Sequence, residues 1–304
     1  MKYLPSFLLV LLFALLITAC NSSETNTLAI SSNLRLNKGD LEPRELSQQF
    51  KDYWYAGTAE ITSYKLTQER YGELRNGTAV NVFVTEDFLP NEQVKADGSN
   101  PDNLAVLKLN QTKKFVTGIY PNSVMTSTFS PINYDDHALK VTHSMQEWCG
   151  HVYIQLNNRK DFEIMAHSYF EGEADQQLNI SKTWLENEIW NLIRINPNDL
   201  PTGTISILPS FDYFRMSHQP ITAHSASANL IQGDSITTYT LSYTDIKREL
   251  KIYFNSDFPY TIERWEETHA NGLKSTAEKL ARIQTAYWSK NSNRYLSLRD
   301  SLGL

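Results

Sequence analysis

The densest group of reactive side chains in this sequence is the segment Glu147-Trp148-Cys149-Gly150-His151. A thiol becomes a nucleophile when a neighbouring imidazole lowers its pKa, and a carboxylate can orient that imidazole. In an extended strand, however, Cys149 and His151 would lie about 6–7 Å apart on one face, and a turn at Gly150 would destroy even this alignment. We therefore favour a hairpin in which Cys149 is buried. The alternative is a hydrolase whose catalytic residues are Glu147, Cys149 and His151.

Other catalytic and cofactor patterns are absent from the sequence. The seven histidines show none of the close spacings of metal-ligand motifs. The sequence has no GxxxxGK[ST] or GxGxxG phosphate-binding loop and no GxSxG nucleophile elbow. Acidic residues cluster around Glu171 and Glu266, where solvated loop and strand ends explain them best. We expect no metal and no cofactor, and an enzyme is the less favoured class.

A second cysteine, Cys20, predicts chemistry of a different kind. Lys2 and the apolar run from Leu8 to Ile17 are typical of a secretory signal, and the run is too short to span a membrane comfortably. The following Ile17-Thr18-Ala19-Cys20 resembles the bacterial lipobox, in which the cysteine thiol receives a diacylglyceryl group. We expect residues 1–19 to be a lipoprotein signal peptide and Cys20 to carry acyl chains such as palmitate. The alternative is an ordinary signal peptide with a chance cysteine.

The residues after Cys20 indicate where the anchor places the protein. Asn21 stands where aspartate would retain a lipoprotein in the inner membrane, and no acidic run signals export to the outer surface. We therefore expect lipid anchorage in the periplasmic leaflet of the outer membrane. Residues 21–40 are rich in Ser, Asn and Thr, which predicts that 20–40 form the lipidated cysteine and a flexible tether. Residues 41–304 should then form one β-rich periplasmic domain.

Composition narrows the possible partners. The chain has 304 residues, with 28 Lys+Arg against 34 Asp+Glu and a net charge of −6. A mildly acidic chain lacks the concentrated positive charge that nucleic acid requires. Apolar residues make up 41%, which is enough for a folded core and excludes a disordered protein. Since lipidation consumes Cys20, Cys149 would remain as the single free thiol.

Hydrophobic periodicity predicts a mainly β fold. Apolar residues alternate with polar ones in six segments, and Asn-Gly or Asp-Gly pairs such as Asn76-Gly77 and Asn271-Gly272 predict hairpin turns. The six segments are 80–85, 107–110, 141–146, 152–156, 238–243 and 250–255. This pattern is typical of an antiparallel curved sheet or barrel-like body.

A few helices should accompany the sheet. Residues 182–195 carry an apolar stripe behind a Thr183/Glu186 capping box, which predicts one inserted amphipathic helix that plugs or covers the sheet. Short terminal helices are expected over 41–54 and 291–302, and 273–288 fits either a strand or a helix. Clustered aromatics could line a cavity for an apolar ligand, or they could simply fill a large core.

Several stretches together resemble a known protein family. They are Tyr53-Trp54-Tyr55-Ala56-Gly57-Thr58-Ala59-Glu60, Met145 to Tyr153, Leu200-Pro201-Thr202-Gly203, and Phe258-Pro259-Tyr260 with Trp265-Glu266-Glu267-Thr268. The chain is similar to a family of uncharacterised Gram-negative lipoproteins often labelled "septum formation inhibitor Maf". The Ser-x-Ser-Pro-Arg-Arg motif of the Maf nucleotide pyrophosphatases is absent, so no catalytic residue transfers and that activity is a disfavoured alternative.

These observations favour a lipid-anchored envelope protein without enzymatic activity. We expect it to bind an apolar small molecule or an envelope protein, and to contact the membrane through its anchor.

Overall fold

The alternating segments of the sequence assemble into one large antiparallel sheet. The computed structural model describes residues 41–304, all of which belong to one compact unit. The strands are β1 (Glu42–Pro43), β2 (Ala59–Arg70), β3 (Glu73–Leu89), β4 (Val94–Lys95), β5 (Leu104–Thr117), β6 (Tyr120–Pro131), β7 (Tyr134–Asp135), β8 (Lys140–Glu147), β9 (Gly150–Asn158), β10 (Phe162–Ser168), β11 (Gln176–Ile180), β12 (Trp184–Leu185), β13 (Gly203–Leu208), β14 (His224–Ile231), β15 (Ile236–Tyr243), β16 (Arg248–Asn255), β17 (Ile262–Thr268) and β18 (Lys274–Thr285). The α-helices are α1 (Gln48–Trp54), α2 (Glu186–Ile195), α3 (Phe211–Ser217) and α4 (Ser297–Asp300), with 3-10 turns at Pro197–Asp199, Tyr287–Ser289 and Asn293–Tyr295.

Hydrogen bonding orders the main sheet as β11-β10-β9-β8-β6-β5-β3-β2-β18-β17-β16-β15-β14-β13-β12, with β4 beside β3. The first long strand, β2, therefore pairs with the last, β18. The two edge strands, β11 and β12, are consecutive in sequence. All pairings are antiparallel except the short one between β12 and β13. The chain thus builds one half of the sheet outward from β2, starts again at the opposite edge, and returns to β2.

Helix α2 fills the space inside the curved sheet. All ten of its residues are buried, including Glu186, Glu188 and Arg194. Its apolar residues Ile189 and Ile193 share one core cluster with residues from strands in both halves of the sheet. Because one helix contacts both halves, the sheet must curve around it. The mainly β fold with an inserted helix is thereby confirmed.

The boundaries of several elements differ from the sequence predictions. Asn76-Gly77 lies inside β3 and forms no turn. Helix α2 starts at Glu186, because Glu188 accepts a hydrogen bond from the Leu185 amide (3.0 Å) while Thr183 donates to the Ser206 carbonyl instead. The ambiguous segment 273–288 is mostly strand β18, and the terminal helices are shorter than expected.

Alternate connections between antiparallel strands fall at the same end of the sheet. We call the end that carries the connections 71–72, 118–119, 148–149, 169–175, 244–247 and 269–273 the upper end, and the opposite one the lower end. Helix α3 lies in the connection that follows β13, also at the upper end. The described chain begins at the lower end, since β1 pairs with β7 just after β6. No helix within residues 41–304 has the length and apolar character needed to span a bilayer.

Candidate functional site

The segment singled out for thiol chemistry forms a hairpin turn, and its three reactive side chains do not converge. Trp148 and Cys149 are the turn residues between β8 and β9, with Glu147 paired opposite Gly150. The Glu147 side chain is buried and bonds Arg215 (3.0 Å), whereas Cys149 and His151 are exposed. Within the described part of the chain, no hydrogen bond or ion pair joins Cys149 to His151. The hairpin was predicted correctly, but the buried position of Cys149 was wrong because the thiol sits on the turn itself.

Histidine and cysteine side chains do not cluster for metal binding in residues 41–304. His137, His218 and His224 each pair with a single carboxylate, on Glu188, Glu173 and Asp245. Cys20, the predicted lipid attachment site, lies outside the described residues, as do the signal peptide and tether.

Aromatic side chains fill the inside of the sheet. Trp54, Tyr64, Phe83 and Tyr239 are almost wholly buried and belong to the same core cluster as helix α2. The sequence left open whether the clustered aromatics line a ligand cavity or fill the core, and these four fill the core. A ligand site must therefore be sought where the interior opens to solvent.

Below the upper end, a network of buried charges holds helix α2 to the sheet. Arg248 donates to both carboxylate oxygens of Glu186 (2.5 and 2.7 Å) and through Nε to Glu267 (2.6 Å). Tyr243 also donates to Glu186 (2.6 Å). Burial alone would raise the pKa of Glu267, but Arg248 and other nearby cations outweigh it and hold that pKa below its usual range.

A second buried pair extends this network to helix α3. Lys113 donates to Asp212 (2.6 Å), and both side chains are almost fully buried. Burial would raise the pKa of Asp212, yet the charge of Lys113 lowers it far below its usual range. Nearby, His143 Nδ1 lies within hydrogen-bonding distance of the Thr126 hydroxyl (2.9 Å), and its Nε2 atom has no partner among residues 41–304. Burial lowers the pKa of His143 to about 4.

Arg248, Glu267 and Asp212 of this network form the floor of a cleft of about 440 Å³ at the upper end. Its wall contains the apolar parts of Tyr213 and Met216 from helix α3, and of Ile246 from the β15–β16 connection. Four carboxylates line the cleft, together with the guanidinium of Arg248. They belong to Glu69, Asp212, Asp245 and Glu267. The cleft therefore combines an apolar wall with an excess of negative charge.

Glu69 contributes most to that excess. Its Oε1 accepts hydrogen bonds from the Gly72 amide (2.9 Å) and from Asn271 Nδ2 (3.1 Å), both neutral donors. The other lining carboxylates have cationic or imidazole partners: Asp212 pairs with Lys113, and Asp245 with His224. No cation is paired with Glu69 among residues 41–304, so its charge remains available at the mouth of the cleft.

Beside the cleft, a serine, a histidine and a carboxylate follow one another, and of these the histidine and the carboxylate line it. Ser275 Oγ lies 2.7 Å from His269 Nε2, and His269 Nδ1 lies 3.9 Å from Glu267 Oε1. This order resembles a hydrolase triad. Ser275, however, is buried, and its oxygen already accepts from the Glu69 amide (2.8 Å) and from Gln68 Nε2 (3.2 Å). It does not line the cleft, and the arrangement serves to tie β2 to β18.

A larger groove of about 570 Å³ lies at the edge of the sheet, beside strand β13. It is lined by Thr204 and Ser206 of that strand, and by His137 and Trp184. His137 Nδ1 lies 2.8 Å from Glu188, so this ring nitrogen is engaged with helix α2. We regard the upper cleft as the candidate site because buried charged groups form its floor.

Sequence reasoning missed the residues that build this site. Arg248 shares the inward parity of the apolar residues Leu250 and Ile252, and Lys113 and Asp212 are equally buried. A charged residue on the apolar side of a strand signals a buried ion pair, which is the pattern that could have identified Arg248. The partners could not be identified, because they lie far apart in sequence.

Comparisons with known proteins give one kind of match. No family model matches the sequence, and no curated protein matches it. Among solved structures, the chain is similar to the crystal structure of a β-barrel-like protein of domain of unknown function DUF1849 from Brucella abortus. The match has a TM-score of 0.45 and 8% sequence identity, and covers 75% of this chain and 98% of that chain.

Proposed function

We propose that this protein is a lipid-anchored envelope protein that binds, without catalysis, an amphipathic ligand carrying a positive charge. The upper cleft is the binding site, and the anchor is Cys20 in the periplasmic leaflet of the outer membrane. The observation that carries the proposal is the juxtaposition, in one cleft, of the apolar wall of Tyr213, Met216 and Ile246 with the unpaired charge of Glu69.

The size and composition of the cleft support this ligand class. Its volume falls within the range of about 300–1,000 Å³ common for small-molecule sites. The apolar wall would cover the hydrocarbon part of the ligand, while Glu69 and Asp245 at the mouth would attract its cationic group. An anionic ligand of the same shape would meet repulsion from these carboxylates.

The lipobox at 17–20 supports the envelope location, because acyl chains on Cys20 would hold the body beside a membrane. The absence of catalysis is supported by the geometry of the two candidate nucleophiles. Among residues 41–304, Cys149 has no bonded base, and the Ser275 oxygen is occupied by backbone and amide donors.

Calorimetry with two probes of equal chain length tests the proposal. The mature chain carrying Cys20→Ser should bind hexyltrimethylammonium and should not bind hexanesulfonate at the same concentrations. Glu69→Gln should weaken the binding of the cationic probe about fivefold, which corresponds to about 1 kcal/mol for one partly solvated charge. Met216→Ser should also weaken it, because it removes part of the apolar wall.

Glu73→Gln provides the matched control. Glu73 is an exposed carboxylate close in sequence to Glu69, but it pairs with Arg75 and does not line the cleft. This variant should bind the probe as the wild type does. Equal binding of the two probes, or equal effects of the Glu69 and Glu73 substitutions, would refute the proposal.

A further inference from the structure

Four connections at the upper end carry large apolar side chains exposed to solvent. Ile119 is 83% exposed, Tyr169 74%, Trp148 69% and Tyr71 55%. We call these four residues the aromatic rim. Connections between strands usually carry Gly, Asn, Asp, Ser or Pro at such positions, because these residues suit turns and interact well with water.

The four side chains belong to one continuous surface. They sit on the β2–β3, β5–β6, β8–β9 and β10–β11 connections, which follow one another along the sheet. Tyr120, next to Ile119, packs against Trp148 with ring centroids 6.3 Å apart, and burial together with the nearby Tyr71 raises the pKa of its phenol.

The absence of a side chain at Gly150 allows Tyr169 to join this surface. A Cβ atom on Gly150 would lie 2.8 Å from the Tyr169 ring, so the missing side chain lets that ring settle beside the β8–β9 turn. The exposed apolar atoms are thereby gathered into one patch, and they contribute little to the core. A gathered patch of this kind marks an interaction site more often than isolated exposed residues do.

Exposed carboxylates stand beside the rim. Glu171 is exposed in the same connection as Tyr169, and Glu73 and Asp175 are exposed as well, although they pair with Arg75 and His167. These charges would repel an anionic lipid surface and attract a basic protein surface. Tyrosine and tryptophan also contribute a large share of binding energy in protein interfaces.

We propose that the aromatic rim is a docking surface for a partner protein that presents apolar side chains flanked by lysine or arginine. The position of the chain start favours a protein over the membrane. Leu41, where the described chain begins, lies at the lower end, so a tether that starts there would have to extend along the whole sheet before the rim could meet the membrane. This last step rests on the proposed lipid anchor, whereas the rim itself requires no ligand in the cleft.

Photo-crosslinking of the full-length lipoprotein in its native envelope tests this proposal. A benzoylphenylalanine at position 119 should give a discrete adduct with one protein, and mass spectrometry should place the crosslink in a basic segment with apolar residues. The same group at position 231 is the control, because Ile231 is also exposed (58%) but lies at the lower end. It should not give that adduct.

Binding of the identified segment, as a synthetic peptide, to the full-length protein in nanodiscs then measures the contribution of the rim. The double variant Ile119→Ser/Trp148→Ser should raise the Kd at least tenfold, and higher salt should weaken wild-type binding. The matched control Ile231→Ser/Trp288→Ser removes one isoleucine and one half-exposed tryptophan at the lower end, and should change the Kd less than twofold.

Other outcomes overturn the proposal. These are adducts with lipid only, adducts only between copies of this chain, an acidic or wholly polar crosslinked segment, or equal losses in the two double variants. Because none of these measurements uses the cleft probes, failure here is distinguishable from failure of the proposed ligand binding.

Discussion

The buried imidazole of His143 lies near several charged side chains. Asp212 favours its protonated form, whereas Lys113 and Arg215 oppose it and burial opposes it most strongly. Its pKa in the folded protein is about 4, against 6.5 in an unfolded chain. Between these values the unfolded state binds a proton that the folded state does not bind, so the free energy of unfolding must decrease as pH falls through this window.

We therefore predict that His143→Gln makes stability less sensitive to acid. From pH 7 to pH 4, the free energy of unfolding should fall by about 3 kcal/mol less in this variant than in the wild type, since each pKa unit corresponds to about 1.4 kcal/mol. Urea titrations at several pH values measure the difference. The exposed His151→Gln should keep the wild-type profile, and parallel profiles for His143→Gln and wild type would contradict the argument.

Ser275 presents the second prediction at the scale of single residues. Its hydroxyl satisfies the buried Glu69 amide, so Ser275→Ala should leave that donor unpaired and cost about 1–3 kcal/mol of stability. The exposed Ser289→Ala should cost less than about 0.5 kcal/mol. A fluorophosphonate probe should leave Ser275 unlabelled, because the oxygen is buried. Labelling at Ser275 would instead support a hydrolase.

At the scale of elements, Gly77 shows why a turn signal can fail. Asn-Gly favours a two-residue hairpin turn, but the chain reverses at Tyr71-Gly72 and Gly77 lies within β3, paired with Phe115 of β5. A Cβ atom on Gly77 would lie 2.2 Å from the Lys114 carbonyl oxygen and 2.9 Å from Phe115 Cβ. The glycine is needed for the close approach of two strands, which is a tertiary requirement that local propensity does not reveal.

We predict that Gly77→Ala destabilises the protein by about 1–3 kcal/mol, because the added methyl group must push a backbone away. Chemical denaturation measures this loss. Gly98→Ala is the matched control, since a Cβ atom there meets nothing within 4 Å and the residue lies in a connection. Similar stability losses for the two variants would contradict this explanation, because no strand approaches Gly98.

The other elements show how far sequence patterns reach. Strict alternation located β8, β9, β15 and β16, because one face of each strand is buried and the other is wet. Helix α3 escaped notice, since its seven residues are too few for a helical period to be distinguished. Its Asp212 and Arg215 look like surface charges until Lys113 and Glu147 are placed beside them by the fold.

At the scale of the whole molecule, the pairing of β2 with β18 brings the two ends of the sheet-forming chain together. Helix α2 is held to both halves of the sheet by buried ion pairs, through Arg194 to Glu60 in β2 and through Glu186 to Arg248 in β16. Breaking such a pair would leave a buried charge without its partner, which costs free energy. We therefore expect the two halves to unfold together. The cleft and the aromatic rim both lie at the upper end, opposite the point where the described chain begins.

This arrangement leads to a prediction about the anchor. If Cys20 carries the acyl chains, Cys20→Ser should move the protein from the membrane fraction to the soluble fraction of the envelope, because no other lipid attachment is proposed. The melting temperature of the released protein should match that of the detergent-solubilised wild type, since the core residues begin at Phe50, well beyond Cys20 in the sequence.

The aromatic rim supplies the control for this experiment. If the rim contacted lipid, Cys20→Ser would remain on membranes until Ile119→Ser/Trp148→Ser was added as well. If the rim contacts protein, Cys20→Ser alone should suffice for release from protein-free vesicles. Retention of Cys20→Ser on such vesicles would contradict the assignment of Cys20 as the membrane attachment, and would identify the upper end as the surface to test next for lipid contact.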